Sequence, residues 1–345
     1  MIKAKKIIII IQRSNGDVFF SSSLIKRLYE YFEKPQIDLL VNDDTLSIAK
    51  LIPYVTNIYT FSYKRKQDHQ WSQELNIIFK LFKKYDLSIN LTSSDRSILY
   101  ALMMGRKSIS AVENDNKKSW WKKILLSHYY FFNDSQHILL NNLMSLNLLK
   151  IKFDNIHHEI GVTEAAYKSI TKKLKKANID KFLIFHPSTQ YEYKIYPQKL
   201  RNLLLQKLSK LNISIVVTGG TSLIDSNIKD QLNHKIKIID FIGETSLEEF
   251  FALSKLSLGY IGMDTLNMHI AASQNKRIFA IFGPTNLNMW SPWSNKLKKS
   301  ATDNAPFQTY DKNTIFQADM PCVACGNAGC DNKHGKSEGL YKISP

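Results

Sequence analysis

Gly259–Trp293, GYIGMDTLNMHIAASQNKRIFAIFGPTNLNMWSPW, is the most diagnostic passage of this chain. The apolar run Leu256 to Ile261 that leads into it predicts a strand. Asp264 and Thr265 stand where a helix would be capped, and Asn267 to Gln274 has helical spacing. A second β-rich run, Ile278 to Phe282, ends at Gly283 and Pro284. Such a unit belongs to a parallel sheet. N–H groups at its helix start would face the carboxyl edge of the strands, where α/β proteins bind nucleotides and other anions. An ordinary βαβ crossover with an aspartate cap reads the same way, so the passage fixes the fold class before it fixes a ligand.

Working outward, the same alternation fills both halves. In the first, strands are expected at Ile7 to Ile11, Ile37 to Val41, Asn57 to Phe61 and Leu87 to Leu91. A turn containing Gly16 and helices near Ser22 to Phe32, Gln73 to Lys83 and Ser97 to Met104 lie between them. Ser119 to Lys150 reads as one long helical, aromatic and basic stretch, and Lys152 to Glu164 as a linker. In the second half, strands are expected at Phe182 to His186, Ile213 to Thr218, Ile236 to Asp240, Leu256 to Ile261 and Ile278 to Phe282. Helices are expected at Pro197 to Leu211 and Ser246 to Ser254, and little periodicity beyond Asn295. The expectation is α/β with two Rossmann-like domains, residues 1–160 and 161–345.

Composition bounds the function. The 345 residues are 44% hydrophobic and 22% charged, ordinary for a globular protein and against disorder. The formal charge of +17 attracts nucleic acid, acidic membrane surfaces or anionic substrates. Lys, Asn and Ile are abundant throughout, as A/T-rich coding DNA produces, so charge alone selects no partner. Ile7–Ile11 is too short for a signal-peptide core of ~7–15 apolar residues and reads as a buried first strand. No window approaches the ~20 apolar residues of a spanning helix, so a cytoplasmic protein is expected, at most peripheral on a membrane. The cysteines, Cys322, Cys325 and Cys330, do not form a disulfide framework.

Several strand ends carry chemistry. Asp17 follows the first strand, where a carboxylate can act as a general base or cap the next helix. Ser188 and Thr189, in FHPSTQYEYKIYP, can donate to phosphate oxygens. Lys194 can neutralise charge on a departing diphosphate, although a lysine there can equally be solvated. Ser246 with Glu249 is a capping box. Cys322, Cys325, Cys330 and His334 have the spacing of a structural zinc knuckle, or are free thiols in a packed tail. Lys117, Lys118, Lys122 and Lys123 flank Trp120 and Trp121, a cluster suited to a membrane interface or to an amphipathic helix over the core. There is no D-x-D motif, Glu113-Asn114-Asp115 being the nearest, which favours metal-independent stabilisation of the leaving group. Nor is there a G-x-S-x-G, Walker A or G-x-G-x-x-G motif.

Asp264, Thr265, His269, Ala271, Ala272 and then Phe282, Gly283, Pro284 and Thr285 fit D-[TS]-G-x-x-H-x-A-A, a strand, and F-G-P-T. This resembles the donor-binding segment of the family 9 glycosyltransferases, the lipopolysaccharide heptosyltransferase family, and the resemblance extends over roughly Ile7 to Thr285. It implies the glycosyltransferase B architecture, two Rossmann-like domains facing a cleft, with acceptor bound by the first and donor by the second. It also implies inverting transfer of a heptose from a nucleotide-activated donor, ADP-heptose, to the anionic inner core of lipopolysaccharide or lipooligosaccharide at the cytoplasmic face of the inner membrane. By that resemblance Asp17 is the catalytic base and Arg96 meets the acceptor. Ser188, Thr189, Lys194, Asp264, Thr265 and His269 hold the donor, with Asp225 the nearest acidic residue for its ribose. No cofactor is required, and nucleic acid is not a partner because the βα repeats supply no recognition module. Leu266 departs from the pattern by replacing a glycine that lets the ligand approach the backbone. A family 9 transferase for another sugar, or a silent sugar-nucleotide-binding relative, is the alternative this departure leaves open.

Overall fold

The computed structural model describes residues 3–64, 71–153, 158, 160–233 and 235–345. The chain divides into two compact units, Met1–Gly161 and Val162–Pro345. Of the segment read as a linker, residues 154–157 and 159 lie outside the described residues, and Glu164 opens the helix Glu164–Lys176.

The first unit is a parallel sheet of β1 (Lys6–Ile11), β2 (Gln36–Asn42), β3 (Asn57–Phe61), β4 (Tyr85–Asn90), β5 (Gly105–Val112) and β6 (His128–Phe131), in the order β3-β2-β1-β4-β5-β6. Ile7 to Ile11 are fully buried because β1 is central and helices cover both of its faces. Gly16 sits inside the helix Asn15–Phe20, not in a turn. The stretch read as one helix breaks into the helix Asn116–Leu125, β6, and the helix Ile138–Leu148. The aromatic run His128-Tyr129-Tyr130-Phe131 favours a pleated edge over another helical turn.

The second unit repeats the plan. Its strands are β7 (Phe182–His186), β8 (Ser214–Gly219), β9 (Ile239–Ile242), β10 (Gly259–Met263), β11 (Arg277–Ile281), β12 (Phe307–Tyr310) and β13 (Asn313–Phe316). The order is β12-β13-β11-β10-β7-β8-β9, parallel except for the β12–β13 hairpin. β10 begins three residues later than the apolar run suggests. Leu256 ends the helix Leu247–Leu256, and Leu258 N donates to Phe182 O at 2.9 Å just before pairing begins. An apolar run crossing a helix end and a strand start carries no mark of the boundary.

The closing residues are ordered by packing rather than periodicity. Tyr196, Met263, Ile281, Leu340 and Ile343 share one buried cluster, and Tyr196 Oη donates to Ile343 O at 2.6 Å. In each unit the connections reverse direction beside the central strand, between β1 and β4 and between β7 and β10. Open α/β sheets bind ligands outside the carboxyl ends of strands at such switch points.

Candidate active site

At the switch point of the second unit, β10 delivers Asp264 and the 3-10 turn Glu192–Lys194 delivers Lys194. Lys194 Nζ lies 3.7 Å from Asp264 Oδ2. Burial raises the Asp264 carboxyl above its ordinary value, opposed by Lys194 and by a hydrogen bond from Thr285. Thr285 therefore ties the strand end after β11 to the strand end after β10. Thr265 stands at the N-cap of the helix Leu266–Ser273 in extended backbone and makes no side-chain cap bond. No cap side chain therefore occupies the amides of Leu266 and Asn267, which carry the positive end of the helix dipole, while Met268 N donates to Thr265 O at 3.1 Å. His269, one turn on, is buried beside Trp290, and its pKa is pushed down to about 3 by burial and by the charge of Lys194. It is a neutral imidazole at any working pH.

Ser188 and Asp225 meet, but as partners of each other. Ser188 Oγ donates to Asp225 Oδ1 at 2.5 Å, and Gly220 N donates to the same oxygen at 2.8 Å. Ser222 N and Oγ donate to Oδ2 at 3.0 and 2.5 Å, completing a capping box on the helix Leu223–Asp230. Burial pushes the Asp225 carboxyl up, but these donors outweigh it and hold it below the ordinary range. With two donors on each oxygen, the carboxylate is saturated within the protein. Asp225 thus fastens the turn after β7 to the turn after β8. A Cβ on Gly219 would fall 2.8 Å from Asp225 Oδ1, so the bare backbone there makes room for the carboxylate. Thr189 Oγ1 donates to Tyr191 O at 2.6 Å, shaping the loop that carries Lys194.

His186, at the end of β7, was not singled out from sequence. Its Nδ1 lies 2.9 Å from Thr218 Oγ1, and Asn267 Nδ2 lies 3.1 Å from its Nε2. Burial pushes its pKa down to about 4 despite Asp225 nearby. A neutral ring donating to Thr218 and accepting from Asn267 satisfies both contacts, and it anchors the first turn of the helix Leu266–Ser273 to the central strand. The opposing residue on β10 is Gly262, where a Cβ would stand 2.3 Å from His186 O. A histidine closing a strand beside a glycine-bearing neighbour was the available sequence clue.

At the switch point of the first unit, Asp17 is buried in the first turn of the helix Asn15–Phe20. Its Oδ2 accepts from Ser14 N at 3.1 Å and Ser14 Oγ at 2.7 Å, while Arg13 Nε lies 2.8 Å from Oδ1. The sequence-level alternative was a cap at the helix start, and the structure shows a related arrangement in which Asp17 closes a box on Ser14. The Arg13 guanidinium also lies over the Phe132 ring, 4.6 Å from its centroid. Arg96 is half-buried rather than a simple surface charge. Its guanidinium lies over Phe61 at 4.0 Å, contacts Tyr63 Oη, and places Nε 3.4 Å from Gln12 Oε1. Gln12 N in turn donates to Thr92 Oγ1 at 2.9 Å, so Arg96 is tied to the ends of β1 and β4.

The profile of glycosyltransferase family 9 (heptosyltransferase) matches residues 77–318. The chain belongs to glycosyltransferase family 9. Over 292 residues, 83% of this chain and 84% of the relative, it is 24% identical to lipopolysaccharide heptosyltransferase 3 of Escherichia coli. Solved structures share the fold. A family 9 glycosyl transferase from Veillonella parvula superposes with a TM-score of 0.71 at 17% identity, covering 85% of each chain. E. coli heptosyltransferase WaaC with ADP-2-deoxy-2-fluoro heptose gives 0.70 at 13% identity over 98% of this chain and 96% of that one. The two Rossmann-like domains are the glycosyltransferase B fold of this family.

The departure from the family 9 pattern finds a physical account. Leu266 is the first residue of its helix, half-buried, and its φ is not positive. The position needs no glycine to form the turn. The zinc expectation is corrected: among the described residues no group of three or more His, Cys, Asp and Glu side chains comes together to hold a metal. Cys322, Cys325 and Cys330 are exposed free thiols, and Cys330 Sγ accepts from Glu338 N at 3.3 Å. The His334 ring packs against Tyr191 and Tyr193 instead of joining them. Gly326 N donates to Pro284 O at 2.6 Å, which shows the tail secured by backbone bonding to the F-G-P turn.

Proposed function

We propose that this family 9 glycosyltransferase moves a heptose from ADP-heptose to an inner-core sugar of lipopolysaccharide or lipooligosaccharide, with inversion at the anomeric carbon. The observation that carries the reading is the convergence of Lys194, Asp264, Thr285 and the uncapped helix start at Thr265 on the β7/β10 switch point. A diphosphate fits that cluster, because a cation and unspent amides both favour negative charge. The E. coli relatives, a lipopolysaccharide heptosyltransferase and a heptosyltransferase holding an ADP-heptose analogue, support heptose and ADP.

In this reading residues 161–345 bind the donor and residues 1–160 the acceptor. The acceptor hydroxyl attacks the anomeric carbon, its proton passes to Asp17, and the bond to the diphosphate breaks as ADP leaves. Oδ1 of Asp17 takes the proton, since Ser14 holds Oδ2 with two donors whereas Oδ1 meets only Arg13 Nε and keeps a lone pair for the acceptor hydroxyl. Lys194 and the helix start stabilise the charge that accumulates on ADP. Thr189 shapes the Lys194 loop, and Ser188 and Asp225 position rather than bind, because their hydrogen bonds are spent on each other. Arg96 meets an anionic group of the acceptor. The acceptor is a glycolipid, which places the protein on the cytoplasmic face of the inner membrane.

Mass spectrometry of the lipopolysaccharide core from a deletion strain tests the reading. The expected result is a core lacking one heptose, restored by the wild-type protein and not by Asp17→Asn. An unchanged core, or loss of a different sugar, overturns the heptose assignment.

A further inference from the structure

Helices Ser72–Leu81, Asp95–Met104 and Asn116–Leu125 lie on the connections from β3 to β4, β4 to β5 and β5 to β6. Those connections all step the same way across the sheet, and right-handed crossovers place their helices on one face of it. The packing agrees. Ile77, Ile78 and Leu81 share a core cluster with Tyr100, Ala101 and Met104, and Trp121 packs with Ile98 and Leu102. With the inward stripes accounted for, the outward faces of such helices are ordinarily polar.

Here they are not. The first helix turns Leu75 and Phe79 outward, with Trp71 extending the stripe; Trp71 is 73% exposed and Phe79 76%. The second exposes Leu99 and Met103, and the third Trp120 at 61% and Ile124 at 72%. Each stripe has a four-residue spacing, so each is one side of one helix. Three such stripes on helices that pack beside one another put several large apolar side chains on the outer face of one layer, the kind of exposure that marks an interaction surface.

Charge selects the partner. The acids on the three helices are Glu74 and Asp95, and Lys122 Nζ engages Asp95 at 2.5 Å together with Glu113 at 2.6 Å. Lys80, Lys117 and Lys118 are exposed on the helices themselves, Lys118 lying 3.9 Å from Asp115, and Lys84, Arg106 and Lys107 are exposed where the chain enters β4 and runs along β5, whereas Lys83 spends its ammonium on Leu102 O and Gly105 O. Aromatic and aliphatic side chains rimmed by lysines suit a boundary between hydrocarbon and anionic headgroups. The sequence-level cluster is thereby revised: Trp121 and Lys122 face inward, and Trp120 faces out.

We propose that this three-helix layer of the first unit is the face by which the protein rests on an anionic lipid bilayer, with Phe79 and Trp120 entering the headgroup region. The inference rests on the peripheral location given above, not on the identity of the transferred sugar.

Flotation of the full chain with vesicles of phosphatidylethanolamine and phosphatidylglycerol, and with vesicles of phosphatidylcholine alone, tests it without any sugar nucleotide. Co-flotation with the anionic vesicles, weakened by salt and much reduced on phosphatidylcholine, is expected. Phe79→Ser with Trp120→Ser replaces two largely exposed side chains and should lower vesicle affinity roughly tenfold or more. ADP binding should be unchanged, which separates a lost docking face from a misfolded protein. Failure of the wild type to float, or unchanged flotation of the double variant, overturns the proposal. So does a wild-type dimer in gel filtration that the double variant converts to monomer while vesicles are ignored, since a second copy would then occupy the face. Vesicle binding in a protein that transfers no heptose would leave this inference standing while the reaction assignment falls.

Discussion

Lys194 Nζ stands 3.7 Å from Asp264 Oδ2, joining the turn after β7 to the end of β10 across the switch point of the second unit. The separation is that of an ion pair in loose contact, so a diphosphate can recruit the ammonium without breaking a tight bidentate bond. Asp264 has Thr285 as a second support and does not depend on Lys194 for its place.

Lys194→Ala is therefore expected to weaken ADP binding roughly tenfold to a hundredfold, the range of a lost charge-assisted hydrogen bond. Turnover should fall with it, because the same ammonium meets charge that grows as the diphosphate leaves. Calorimetry with ADP provides the check, and an unchanged affinity would remove Lys194 from the site.

Asp17→Asn should behave differently. An asparagine can keep a hydrogen bond to Ser14 through its amide oxygen, so the helix start should survive. The lost proton acceptor should lower kcat by about 10²–10⁴. ADP affinity should stay near the wild-type value, since the base acts in the transition state and not on the bound donor. Near-normal turnover would reduce Asp17 to its box with Ser14.

Much of this was legible in the chain. The five isoleucines of β1 announced a buried first strand, because burial on both faces removes the need for alternation. The D-T-L-x-x-H-x-A-A passage announced the helix start that matters most. β5 was missed because Gly105-Arg106-Lys107-Ser108-Ile109-Ser110 is polar and edge-like in sequence, yet it pairs with β4 inside the sheet. Family resemblance made Asp225 the nearest acidic residue for the ribose, and nothing in the sequence signalled the four donors that surround its two oxygens. The cysteine spacing suggested a knuckle, whereas convergence of the ligands depends on tail packing that spacing does not encode.

Stability should fall on the acid side through His186 and His269. Both are buried and neutral, with folded pKa values of about 4 and about 3 against an ordinary value near 6.5. Below that ordinary value the unfolded chain takes up protons that the folded protein refuses. Stability is therefore fully present above about pH 6.5 and is lost progressively as pH falls toward the folded values. The full loss for His186 alone is on the order of 3 kcal/mol. Urea unfolding between about pH 7 and pH 5 should show a steeper decline for the wild type than for His186→Gln, even though the variant starts lower because its contacts with Thr218 and Asn267 are altered. Parallel declines would mean that His186 titrates normally when folded.

Leu266 separates the conformational need for glycine from the steric one. The residue opens its helix with no positive φ, so glycine is not required to shape the turn, and the backbone amide is presented to a ligand in the same way with either side chain. Leu266→Gly should accordingly leave ADP affinity within about threefold while lowering stability by about 1 kcal/mol through helix propensity. In a unit the size of Val162–Pro345 that loss moves Tm by roughly 2–4 °C. Affinity and melting measured on the same preparation decide between the two roles. Binding tightened tenfold or more, with little change in Tm, would show that the leucine side chain crowds the diphosphate and that the family's glycine serves ligand approach.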